Sequence, residues 1–199
     1  MLDIGIETKY KDVPKHLTVI PAYENSFEES YRKFRYYKSP TNIIHTINYF
    51  IDNRKGEPEY NPNRAGGINC SSDPSKAIEQ IFAAMDKYNT KKGRYLYHYI
   101  IQCKLFNTAP LDDIHRIIRC AMSVFNDEYM IYYYIHGKRN KHNMHVHVSI
   151  FPTNLYTGKK LHFSNSEFYH LKDDLNLAVD PVIRRMKKNK KHSKRNKRK

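Results

Sequence analysis

Four histidines, His136, His142, His145 and His147, fall within one short stretch of the chain. In "MHVHVSIF", residues 144–151, the two-residue period of a strand sends Met144, Val146, Val148 and Ile150 to one face and His145 and His147 to the other. If "MIYYYIH", residues 130–136, pairs with it as an antiparallel hairpin across the seven residues "GKRNKHN", His136 comes beside His145 or His147, and three imidazoles converge. Such a set leaves coordination positions open for water or substrate, as a catalytic metal requires, whereas a structural zinc site usually closes with four ligands. By ligand chemistry alone, imidazoles favour zinc, nickel or copper over magnesium. The plainer alternative is a pair of surface histidines on the polar face of a half-buried strand; the third histidine at the adjoining strand end favours the metal. Lys138, Arg139 and Lys141 lie in the connecting loop, where they would hold a substrate phosphate from a second side. His142, in the same loop, reads as a phosphate contact or a bystander.

A second candidate sits on a helix. In "SPTNIIHTINYFIDN", Ser39 can cap and Pro40 can occupy the first turn. Ile43, Ile44, Ile47, Phe50 and Ile51 gather on one face at 100° per residue, and Tyr49 falls away from them near Asn42, His45 and Asn53. Packing does not account for a tyrosine there. Seventeen tyrosines are present, and Tyr23, Tyr60 and Tyr132 to Tyr134 are rivals by count alone.

The elements that must position these groups follow from the pattern. Asp73 and Pro74 open a helix with Ala77, Ile78, Ile81, Phe82 and Met85 as its buried face, and "YLYHYIIQ" reads as a central strand, apolar on both sides. "LDDIHRIIRCAMSVF" carries Ile114, Ile117, Ile118, Ala121 and Phe125 at helical spacing, while Ser164 and Glu167, like Ser26 and Glu29, have capping-box spacing. The expected fold class is α+β, a central, mainly antiparallel sheet with the histidines on one face and helices packed on the other. The expected divisions are an N-terminal extension over 1–38, a folded domain over 39–180, and a basic, disordered tail over 181–199.

Bulk properties narrow the function classes. Of the formal charge of +15, residues 184–199 contribute eleven Lys or Arg and no acid, which leaves +4 on the rest. A polyanion is the natural partner for such a run. Cys70, Cys103 and Cys120 are odd in number and far apart, so they suggest neither a disulfide framework nor a cysteine zinc site. Without an apolar run of ~20 residues or a signal-peptide pattern, the expectation is a soluble cytoplasmic protein with no membrane insertion.

Taken in order, "NYFIDNRKG", "GGINCSSDPSKAIEQIFAAMDKYNTKKGRYLYHYIIQ", His136 with His145 and His147, and "GKKLHFSNSEFYHLKDDLN" resemble the relaxases, or mobilisation nucleases, of the HUH endonuclease superfamily. The resemblance covers about residues 40–178. It implies a relaxase-like sandwich that nicks one DNA strand at an origin of transfer, for mobilisation of a plasmid or integrative element. It makes Tyr49 the nucleophile that forms a 5′-phosphotyrosine, with His136, His145 and His147 holding Mg²⁺ or Mn²⁺. It also implies extruded or single-stranded DNA and accessory mobilisation or coupling proteins as partners. A phenol ionises near pH ~10, so such a nucleophile needs a base, a metal or both. His98 reads as a positioning or DNA-contacting group or a satisfied core histidine, and Asp52 and Glu79 are weak candidates for the base. The chain departs from the family in its loop after His136, where "GKRNK" stands in place of acidic residues. A replication initiator of the same superfamily, a non-catalytic nucleic-acid-binding protein and a water-using phosphodiesterase are the alternatives.

Overall fold

The computed structural model describes residues 13–21, 39–51, 60–138 and 143–196, apart from the side chains of 21, 165–166 and 190–196. Five strands, β1 (Thr18–Pro21), β2 (Ala65–Ile68), β3 (Tyr97–Gln102), β4 (Met130–His136) and β5 (His145–Phe151), form one sheet in the order β1-β3-β5-β4-β2. Every neighbouring pair is antiparallel. Four helices pack on it: α1 (Thr41–Ile51), α2 (Pro74–Lys87), α3 (Leu111–Met122) and α4 (Asn165–Asn196). The class is α+β, as the sequence predicts.

The strand period sorts the sheet into two cores. Val19, Tyr99, Ile101, Tyr133, Ile135, Val146 and Val148 face α3 and α4, whose Ile114, Ile117, Ile118, Leu175, Val179 and Ile183 complete one cluster. Tyr132, Tyr134 and Phe151 face the other way, against Ile43, Ile47 and Phe50 of α1 and Ala77, Ile81 and Met85 of α2. Helices therefore lie on both faces, not only opposite the histidines. The cover on the histidine face is partial, because Ile20, Ile100 and Gln102, which share that face with His147 and His145, remain wholly or partly exposed.

Two elements lie outside the 39–180 stretch or run past its end. Strand β1, with register Thr18↔Gln102 to Pro21↔Tyr99, forms an edge of the sheet. Helix α4 runs through Pro181 to Asn196, and Val179, Ile183 and Met186 carry its apolar stripe on the core as far as Met186. The Ser26 and Glu29 spacing lies outside the described residues, whereas the Ser164 and Glu167 one forms: each backbone N–H donates to the other's side chain, at 2.7 and 3.2 Å. Asp73 caps α2 through Lys76 N at 2.9 Å.

Asn176 of α4 fastens β1 to the domain. Its carboxamide oxygen accepts from His16 N and Leu17 N, both at 2.7 Å, and its nitrogen donates to Lys172 O and Leu17 O. Buried with every valence used, it is costly to replace. Asn176→Leu leaves two backbone donors without their acceptor and is expected to lower stability by about 2–4 kcal/mol in urea denaturation, with hydrogen exchange accelerated first at Val19. A change under about 0.5 kcal/mol would show that β1 is held some other way.

Candidate active site

The hairpin pairs His136 with His145 and Tyr134 with His147 directly across β4 and β5. Cross-strand partners share a face, so the three imidazoles meet on the side turned away from α3. One nitrogen from each of His136, His145 and His147 lies within 4.8 Å of the others, and His145 Nε2 stands 3.2 Å from His147 Nε2. Two nitrogens each ~2.1 Å from one ion at roughly tetrahedral or octahedral angles are about 3.0–3.4 Å apart, so that spacing suits a shared cation.

The surroundings orient the rings. Asn143 O lies 2.8 Å from His145 Nδ1 and, as an acceptor, fixes the proton there, leaving Nε2 its lone pair. His147 Nδ1 lies 2.9 Å from His98 Nε2; with the proton on His147 Nδ1, His147 too presents a bare Nε2 to the cluster. Burial, with neighbouring His136, pushes His98 down to about 3, and burial with the three nearby imidazoles pushes His147 down as well. Neutral imidazoles are what a metal requires. Such a trio can hold a divalent cation while leaving part of its coordination open.

The neck of the hairpin keeps this rung in register. Gly137 has φ of 90°, and a Cβ on it would come within 2.3 Å of Asn143 O, so the position demands glycine. Asn143 Oδ1 accepts from Lys138 N at 2.7 Å, and the Arg64 guanidinium donates to Ile135 O and Gly137 O at 3.1 and 3.0 Å. Nothing in the sequence pointed to Arg64 or Asn143, for their role depends on a contact between β2's approach and the hairpin neck.

Tyr49 reaches the cluster from α1. Phe50 is wholly buried, with its ring 4.8 Å from His98 and 5.2 Å from His147, and it anchors the last turn of the helix on the histidine face. One residue earlier, Tyr49 stands beside this wedge. Its ring edge meets His147 at 5.6 Å and His98 at 6.4 Å between centroids, while 48% of the residue remains exposed. The helical wheel set it away from the apolar stripe; in three dimensions it borders the imidazoles.

The other candidates separate. Tyr132 and Tyr133 are fully buried, and Tyr134 packs against His136. Tyr60 stacks on Tyr134, one ring further out. Glu79 is exposed on α2. Lys138 is half-buried at the hairpin neck, whereas Arg139, Lys141, His142, Asp52 and Tyr23 lie outside the described residues.

The chain matches the family described as "Relaxase: MobA/VirD2-like, nuclease domain" over residues 49–176, well over half its length. It belongs to that family. No curated protein matches it. This relaxase-family chain, of the HUH superfamily, thus carries its three-histidine cluster and Tyr49 within the matched nuclease domain. No helix among the described residues is long and apolar enough to cross a membrane.

If His98 sets the tautomer of His147, His98→Ala should weaken Mn²⁺ binding by about 10- to 100-fold in calorimetry, and His98→Gln, which keeps an acceptor, should recover part of it. Equal affinity for wild type and His98→Ala would leave His98 as a packing residue.

Proposed function

We propose that this protein nicks one strand of DNA at an origin of transfer, through Tyr49 and a cation held by His136, His145 and His147. The observation that carries the reading is the half-exposed Tyr49 ring set 5.6 Å from His147, at the border of the only cluster among the described residues suited to a metal. Membership of a nuclease family supports the reaction class.

The residues divide the work. On the same face, Ile20, Ile100 and Gln102 offer an open floor along which an unpaired strand can lie. The Tyr49 oxygen attacks the scissile phosphorus, an oxygen–phosphorus bond forms to the 5′ side, and the bond to the 3′ oxygen breaks to give a free 3′-hydroxyl. The phosphotyrosine conserves the energy of the broken bond, so reversal reseals the strand without ATP. On α1, His45 lies one turn before Tyr49 and is exposed, which suits it by spacing to take the phenolic proton. Bound Mg²⁺ or Mn²⁺ supplies polarisation of the phosphate and offsets charge in the transition state. Lys138, with Arg139 and Lys141, brings positive charge to the adjoining phosphates. In its host the protein works in the cytoplasm, with accessory mobilisation or coupling proteins.

The decisive experiment incubates purified protein and Mn²⁺ with supercoiled donor plasmid and examines the product by mass spectrometry. A nucleotide-linked peptide containing Tyr49 is expected from wild type and none from Tyr49→Phe, which should still bind Mn²⁺. Cutting by both proteins without an adduct would point to water as the nucleophile, and no cutting by either would leave a DNA-binding protein.

A further inference from the structure

Helix α4 crosses the sheet and leaves it at a defined place. Phe168 stacks on Tyr99 in the middle of β3, with 5.5 Å between ring centroids, and Asn176 and Asp180 then engage residues 16 and 17. Those residues sit just beyond the rung on which Thr18, Gln102 and His145 align. Met186 is the last buried residue among those described. The next residue, Lys187, is near Cys103, the residue after β3: burial raises that thiol, and backbone N–H groups and the Lys187 charge draw it part-way back. Lys104 is exposed at the same rim. The helix therefore departs from the end of the sheet that carries the imidazoles.

Beyond Met186 its composition changes completely. Residues 187–196, "KKNKKHSKRN", contain six Lys or Arg, one His, and no acid, no aliphatic residue and no Phe, Tyr or Trp. Like charges four apart in sequence, as at Lys187 and Lys191 or Lys190 and Lys194, disfavour an isolated helix, so a polyanion would strengthen it. The missing apolar face argues against insertion into a membrane surface. The missing aromatics argue against a single-stranded site, where stacking contributes much of the binding. Ten helical residues span ~15 Å, enough to cross a major groove ~12 Å wide.

We propose that the end of α4, from Lys187 onward, grips the phosphates of double-stranded DNA flanking the strand at the histidine cluster, without reading its sequence. The placement beside the scissile strand rests on the function proposed above; the duplex contact itself does not.

The test compares the full chain with a variant carrying Lys187→Gln, Lys188→Gln, Lys190→Gln and Lys191→Gln. Binding to a 20-base-pair duplex of arbitrary sequence, to its separated strand and to phosphatidylserine vesicles is followed by fluorescence across a salt series. With ~0.9 per phosphate contact, the slope of log K against log salt on duplex should become less negative by roughly 3.6, with at least about tenfold weaker binding at low salt. Affinity for the single strand should stay within about twofold, and the melting temperature should be unchanged. An unaltered duplex slope, an equal loss on the single strand, or wild type preferring vesicles to duplex would overturn the proposal. Tyr49→Phe should bind duplex like wild type, so failure of the nicking chemistry and failure of this contact are told apart.

Discussion

The pairing register of β4 with β5 is the constraint on which the site depends. A slip of one residue would turn His145 and His147 toward α3 and α4 and expel Val146 and Val148 from the core they complete. The cost of exposing those valines therefore protects the histidine geometry. The neck adds a second hold, since the left-handed Gly137, the Asn143 amide and the two bonds from Arg64 fix where the hairpin turns. Core packing and site chemistry are consequences of the same alignment.

The same economy governs Tyr49. Phe50 enters the ring cluster of His98, His147 and Tyr132, and this burial fixes the end of α1 without involving the tyrosine. A side chain one residue from a buried wedge inherits a definite position while staying half in solvent. The partial helix cover matters for a related reason. Helices α1 and α2 pack over Tyr132, Tyr134 and Phe151, whereas Ile20 and Ile100 on the β1 and β3 side stay accessible, so the face is rigid at one end and open at the other.

Much of this was legible in the sequence because it depends on period. Alternation in 130–136 and 144–151 gave both strands and the side on which each histidine lies, the 3.6-residue pattern gave α1, α2 and α3 with their buried faces, and a capping-box spacing gave the start of α4. What escaped was whatever depends on distant segments meeting. Strand β1 carries only four residues, and its attachment is a property of Asn176, some 160 positions away. The bond between His98 and His147 exists because β3 lies beside β5, a fact of strand order. The stripe of Val179, Ile183 and Met186 holds α4 on the core only up to the start of the basic run, where composition turns wholly polar. That α1 would flank the histidine face was expected from Tyr49, but the place of α2 there was invisible, since an amphipathic helix declares that it packs, not where.

The donor set also bears on what a bound cation would still need. Burial keeps His98 and His147 neutral, and among the described residues no carboxylate belongs to the cluster. Imidazoles alone leave the whole charge of a bound divalent cation uncancelled, and they are softer donors than a hard cation prefers. Both deficits would be met by phosphate oxygens, which supply hard ligands and negative charge together. Under the function proposed above, a site built from neutral rings would be completed by its substrate, and the lysines and arginines of 138–141 and 187–195 in the sequence would attract the anion that completes it.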